Sequence, residues 1–169
     1  MSSLRERLLN RPRPSGTCPV RIDDDTEARK EAGQASILLN LLDAQGESAD
    51  QAAVRKAKAR LKKAEAALKA CYEFVTLRAL PPDDFEALVD AHKPRPGTDD
   101  QQWDNETFPK AVFVACVESD LSADDWEHIW TSVLSNAERI ELSNAAIRVN
   151  IRVPDSSLPK GWAQIEGSS

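Results

Sequence analysis

Two histidines, His92 and His128, are the only imidazoles in the chain, so acid–base or metal chemistry would have few groups to use. Asp124 and Asp125 precede His128 by four and three residues, a spacing that allows an acid–histidine contact on one helix face. A metal site needs further convergent ligands, and no HExxH arrangement occurs. The sequence therefore favours surface histidines beside helix acids, with no metal and no cofactor.

Paired acids could support general acid–base catalysis, and they occur at Asp83-Asp84, Asp99-Asp100 and Asp124-Asp125. Two of these pairs fall at or near predicted helix starts, where carboxylates stabilise the helix dipole by about 0.3–1 kcal/mol. No GxSxG, P-loop or Rossmann glycine pattern is present. We therefore expect no catalytic residues and no enzymatic activity.

The cysteines Cys18, Cys71 and Cys116 are odd in number and widely separated, and none has CxxC spacing. This pattern indicates neither a disulfide framework nor a zinc site. Free thiols in a reducing cytoplasm are the simplest interpretation.

The elements that position these residues are predicted to be mainly α-helical. The chain has 6 glycines in 169 residues and a formal net charge of −6, and no apolar run is long enough to span a membrane. Four segments follow from the prolines and the charge: a basic N-terminal extended arm over 1–25, a helical hairpin over 26–80, an acidic domain of short helices over 81–150, and a flexible tail over 151–169.

The hairpin is predicted to be long and antiparallel. Its first helix starts near Thr26 and ends near Leu42, and Ser48 with Gln51 forms a capping box for the second. With no proline before Pro81, the second helix is expected to continue to Leu80. Its seam has a seven-residue spacing through Val54, Leu61, Leu68 and Val75, with the small residues Ala57, Ala64 and Cys71 alongside.

Charge is distributed unevenly along the chain. Residues 55–69 contain seven Lys and Arg but one acid, whereas residues 81–130 contain thirteen acids and three basic residues. A basic stripe is typical of phosphate binding. However, the net charge of the whole chain is negative and no aromatic residues lie between these basic residues, which disfavours nucleic acid as the partner. Alternatively, the basic helix meets the acidic half of another copy in head-to-tail self-association.

Five aromatic residues fall within 28 positions of the acidic segment. Packing in the core of the helical domain is the favoured interpretation. The alternative is an exposed groove that binds an apolar partner, because tryptophan is enriched at binding hot spots. The possible client-binding residues are Trp103, Phe108, Phe113, Trp126 and Trp130.

The phrases ALPPDDFEALVDAHKPRP, WDNETFPKAVFVACV and LSADDWEHIW, with VRIDDDTEARKE and CYEFVTLRALPP before them, resemble tail assembly chaperones of long-tailed phages and prophages of actinobacteria. The resemblance covers about residues 17–150. It implies a cytoplasmic factor that coats the aggregation-prone tape-measure protein, helps recruit major tail-tube subunits and is absent from the finished virion.

The resemblance also implies that a longer form arises by ribosomal slippage near the end of the gene. Leu158-Pro159-Lys160 can be encoded by a slippery string, although a chance tripeptide in the tail is the favoured interpretation. The alternative function is a structural head–tail or tail component that is retained in the virion, and a nucleic-acid-binding regulator is a third candidate.

Overall fold

The computed structural model describes residues 3–151 and is mainly α-helical, as predicted. Its described residues form seven α-helices: α1 (Leu4–Leu9), α2 (Thr26–Asp43), α3 (Gln51–Ala70), α4 (Pro82–Ala91), α5 (Phe108–Cys116), α6 (Ala123–His128) and α7 (Asn136–Ile151). A small sheet of strand order β1-β2-β3 accompanies them, formed by β1 (Ser15–Arg21), β2 (Tyr72–Arg78) and β3 (Val117–Glu118). The predicted tail, apart from Ile151, and the Leu158-Pro159-Lys160 tripeptide lie outside the described residues.

The chain divides into two compact units. The hairpin unit is Pro19–Val75. The helical unit combines Met1–Cys18 with Thr76–Ser169 and is described over 3–18 and 76–151. This division has different boundaries from the four predicted segments. The end of the predicted arm, from Pro19 onward, lies in the hairpin unit, and the hairpin unit ends at Val75.

The second hairpin helix ends earlier than predicted, and this expectation was wrong. The helix α3 ends at Ala70, and Tyr72–Arg78 forms β2. The segment YEFVTLR is rich in aromatic and β-branched residues, which fit a pleated strand better than a helix. Val75 therefore lies on a strand and does not belong to the helical seam.

The hairpin unit contains the antiparallel pair α2 and α3, which pack along their length. The connection turns at Gly46, whose φ of 58° suits a residue without a Cβ atom. The cap of α3 is Asp50, whose carboxylate accepts a hydrogen bond from the Ala52 N–H at 2.9 Å. The predicted capping box at Ser48 is therefore replaced, and the Ser48 hydroxyl instead donates to the Gln45 carbonyl at 2.6 Å.

The helical unit is built around α5, which packs on α7. A proline lies in the first turn of α5, and α7 begins at Asn136. Asn150 joins three segments: its Oδ1 accepts from the Leu80 N–H at 2.8 Å, and its Nδ2 donates to the Cys116 Sγ at 3.1 Å. In the same unit, β2 pairs antiparallel with β3 through Thr76 and Glu118 and through Leu77 and Val117.

Candidate protein-binding surfaces

The two histidines differ in burial, and one of the paired acids, Asp125, caps a helix. His92 is half-buried, and its Nδ1 lies 2.8 Å from the Thr107 hydroxyl. His128 is exposed at the end of α6. Asp125 completes a capping box with Ser122, and hydrogen bonds from the Ser122 hydroxyl and N–H lower the pKa of its carboxyl. Over residues 3–151, no group of three or more His, Cys, Asp or Glu side chains could hold a metal ion.

Asp100 belongs to an ion cluster that the sequence did not reveal. Its side chain has no exposed area, and its two oxygens accept hydrogen bonds from Arg95 Nε at 2.8 Å and Nη2 at 3.2 Å. The Arg95 guanidinium also contacts Asp104 at 3.3 Å and Glu106 at 2.6 Å. The bond from Arg95 holds the pKa of the Asp100 carboxyl well below its usual range. The cluster fixes the loop between α4 and α5.

The five aromatic residues pack in two groups. Trp103 stacks on Phe108 with ring centroids 4.4 Å apart, and Phe113 lies 5.0 Å from Trp126 and 5.6 Å from Trp130. Trp103 is half-buried, whereas the other four residues are at most 8% exposed. These four form the core of the helical unit, as the favoured interpretation predicted, and the alternative of an exposed aromatic groove does not hold for them.

The cysteines are free thiols over the described residues. Burial raises the pKa of the Cys18 thiol to about 11 and also raises the pKa of Cys116. Both side chains are therefore inert at neutral pH, and they pack as small apolar groups.

The hairpin seam lies between α2 and α3 as predicted, but only its smaller members are fully buried. Val54, Ala57 and Ala64 are less than 9% exposed, whereas Leu61 and Leu68 are half-buried. Alanines let the two helix backbones approach closely, but they supply little apolar area. The pair therefore leaves larger side chains of α2 uncovered.

An open groove follows the seam along one side of the hairpin and encloses about 860 Å³. Its α2 wall carries Leu38 and Leu42, and its α3 wall carries Ala53 and Ala67 with basic side chains beside them. Ile37 and Leu41, on the same helix as Leu38, are 62% and 61% exposed. The seven-residue spacing predicts the seam but not this groove, because a groove depends on how far apart the helices pack.

A second exposed apolar surface lies on α1. Leu4, Leu8 and Leu9 are 60–70% exposed, and none of the residues of this helix is buried. Exposed apolar surface is therefore present in both units.

Comparisons with protein-family models, with curated proteins and with solved structures found no match to this chain. Within residues 3–151, no helix has the length and apolar character needed to cross a membrane.

Proposed function

We propose that this protein is a non-catalytic phage tail assembly chaperone, which binds the tape-measure protein in the host cytoplasm and keeps it soluble before the tail tube forms. The observation that carries the proposal is the uncovered apolar surface of the hairpin unit. Ile37 and Leu41 are more than 60% exposed beside an open groove, and contiguous exposed apolar residues are typical of protein-binding surfaces. The sequence resemblance supplies the class of client.

Helix-in-groove binding explains how such a surface could serve a long helical client. A tape-measure protein presents repeated apolar helical faces, and each face can be covered by one chaperone. Binding at many neighbouring sites raises the local concentration of chaperone on the client, so weak single contacts suffice. Weak contacts also allow displacement when major tail-tube subunits arrive, which fits a factor that leaves the assembled tail.

Self-association along the client forms part of the proposal. The basic side chains of α3 that lie outside the groove lining, such as Lys58 and Lys62, are exposed and opposite in charge to the acidic residues of 81–130, so neighbouring copies can attract each other. Such contacts between exposed charges are weak and are screened by salt, so they would favour ordered binding on a client over stable free oligomers.

The test is co-expression with the tape-measure protein of a long-tailed phage. The soluble fraction of the tape-measure protein should rise when the chain is present and should fall back when Ile37→Glu and Leu41→Glu are introduced together. Ala66→Glu, on an exposed position of α3, is the matched control and should leave the soluble fraction high. Equal soluble fractions with and without the chain would contradict the proposal.

Mass spectrometry of purified particles distinguishes the alternative, a structural head–tail or tail component. A chaperone is absent from finished virions, whereas a structural component is present in fixed proportion to the tail proteins. Detection of the chain at such a proportion would overturn the proposed function.

A further inference from the structure

We infer that the groove of the hairpin unit binds an acidic amphipathic helix, whose carboxylates are spaced seven residues apart beside its apolar stripe. This inference rests on the proposed function, because it identifies the kind of client segment that the groove accepts. It follows from the dimensions of the groove, from its apolar floor and from the charges along one edge.

The dimensions of the groove fit a helix of about four turns. Its α3 wall extends over fifteen residues from Ala53 to Ala67, whose positions are about 21 Å apart along the axis at 1.5 Å per residue. Alanine side chains keep this wall low, so the axis of a third helix can approach to about 8–10 Å. Across from them, Leu38 and Leu42 supply the larger apolar side chains that a partner's leucines would contact.

The groove has exposed apolar area on its α2 side. Leu38 lines the groove and is 38% exposed, and successive positions along a helix are about 100° apart. Leu41 and Ile37 therefore extend the apolar surface of Leu38 outward, away from the seam. A docked helix covers the groove and can also contact Leu41 and Ile37 beside it.

The α3 edge of the groove is basic, and two of its charges have no ion-pair partner within residues 3–151. Lys56 and Lys63 line the groove and are exposed, and among residues 3–151 no carboxylate lies within ion-pair distance of either one. Arg60, between them, is already neutralised by Glu31 of α2, with Nε–Oε1 and Nη2–Oε2 distances of 2.7 and 2.9 Å. Lys56 and Lys63 are thus seven residues apart, which is about 10.5 Å along the helix axis.

This pattern selects the partner. Carboxylates seven residues apart on a docked helix lie at the same separation as Lys56 and Lys63, so both pairs can form at once. A basic helix would place like charges against the same edge and would be repelled. An acidic segment without an apolar stripe would leave Leu38 and Leu42 uncovered.

The experiment uses the full chain and two synthetic helical peptides of about 18 residues. One peptide carries a leucine stripe flanked by Glu at positions seven apart, and its twin has Lys in place of each Glu. Fluorescence anisotropy of the labelled peptides measures affinity. The acidic peptide should bind about tenfold or more tightly than its twin, and its affinity should fall as salt is raised.

Variants of α3 identify the binding edge. Lys56→Glu with Lys63→Glu should weaken binding of the acidic peptide by about tenfold or more, and should strengthen binding of the basic twin. The matched control is Lys58→Glu with Lys62→Glu, which makes the same charge change at exposed positions outside the groove lining. Circular dichroism should show equal helix content in both double variants. Equal weakening by the two double variants would overturn the inference.

Other occupants give different results, each of which would overturn the inference. If a second copy fills the groove, sedimentation velocity will show self-association that the Lys56→Glu and Lys63→Glu variant abolishes, and the acidic peptide will not compete. If nucleic acid fills it, a labelled duplex oligonucleotide will bind and the acidic peptide will not.

The inference and the proposed function can fail separately. A tape-measure protein kept soluble equally well by the chain and by its Lys56→Glu and Lys63→Glu variant would leave the chaperone function standing and refute the groove as its site. Binding of the acidic peptide in the groove, without any effect on tape-measure solubility, would refute the function and leave the groove inference standing.

Discussion

The hydroxyl of Tyr72, at the start of β2, donates a hydrogen bond to the carboxylate of Asp25, which directly precedes α2. Arg29 completes the group, since its Nη2 donates to the Asp25 carboxylate and to the Tyr72 oxygen at 2.6 Å. The hydrogen bond from Tyr72, and then that from Arg29, lowers the pKa of Asp25. This contact fixes the chain where it leaves α3, the point at which the sequence predicted a continuing helix.

The first prediction concerns the phenol of Tyr72. The hydrogen bond to Asp25 raises the pKa of Tyr72 above its ordinary value of 10.0. Because the chain has one tyrosine, tyrosinate absorbance in an alkaline titration reports this group alone. The midpoint should lie above 10 in the folded protein and should move down in the Asp25→Ala variant. A midpoint near 10 in both proteins would show that the contact is absent in solution.

The direction of the Tyr72 shift also determines how stability depends on pH. A group whose pKa is raised in the folded state contributes stability that is complete below the unfolded pKa. That contribution is lost as the pH rises through the folded pKa. The difference in unfolding temperature between the protein and its Tyr72→Phe variant should therefore be constant below pH 10 and should decrease above it.

The second prediction concerns Asp100 and Arg95. The pKa of Asp100 is held well below its ordinary value of 3.8, so its contribution to stability is present above that value and is lost only as the pH falls through the lower folded pKa. The gap in unfolding temperature between the protein and Arg95→Gln should be constant from neutral pH to about pH 4 and should close below it.

Lys93→Gln is the control for this ion cluster. Lys93 lies two residues from Arg95, and its side chain is 72% exposed with a single loose contact to Asp90 at 3.8 Å. Exposed pairs of this kind contribute little to stability. A pH dependence in Lys93→Gln equal to that in Arg95→Gln would show that the cluster has no special role.

Local signals in the sequence account for most of the helices, and contacts between distant residues account for what the sequence missed. Proline and capping residues mark the starts of α4, α5 and α6, because their backbone preferences act within a few residues. The end of α3 was missed because Val75 continues the seven-residue spacing by coincidence. Neither the Arg95 cluster nor the groove follows from spacing, since both depend on how separate segments pack.

The third prediction concerns the aromatic core of the helical unit. Phe113 has no exposed area and lies between two tryptophans, so Phe113→Ala should lower the free energy of unfolding by about 3–5 kcal/mol. Denaturant unfolding measures this loss, and tryptophan emission should shift to the red. Phe74→Ala is the control, since Phe74 is 52% exposed, and should cost less than about 1 kcal/mol. Equal costs would mean that these rings are not the core.

The fourth prediction compares one substitution on two faces of α3. Ala64 is 4% exposed in the seam, whereas Ala66 is exposed two residues away. Ala64→Asp would bury an unpaired carboxylate and should lower the free energy of unfolding by about 3 kcal/mol or more. Ala66→Asp mainly changes helix propensity, because position 66 is exposed, and should cost no more than about 0.7 kcal/mol. The difference between the two values isolates burial, because the new side chain and the helix are the same in both variants.

Leu61→Asp and Leu68→Asp extend this comparison along the seam. Both leucines are half-buried, so an introduced carboxylate keeps part of its hydration and should cost less than Ala64→Asp in denaturant unfolding. The order of the costs therefore reports which residues of α3 face α2 most directly. Leucine substitutions that cost more than Ala64→Asp would place the closest helix contact at Leu61 and Leu68. The alanine-lined groove between α2 and α3 would then be narrower in solution than a docked helix requires.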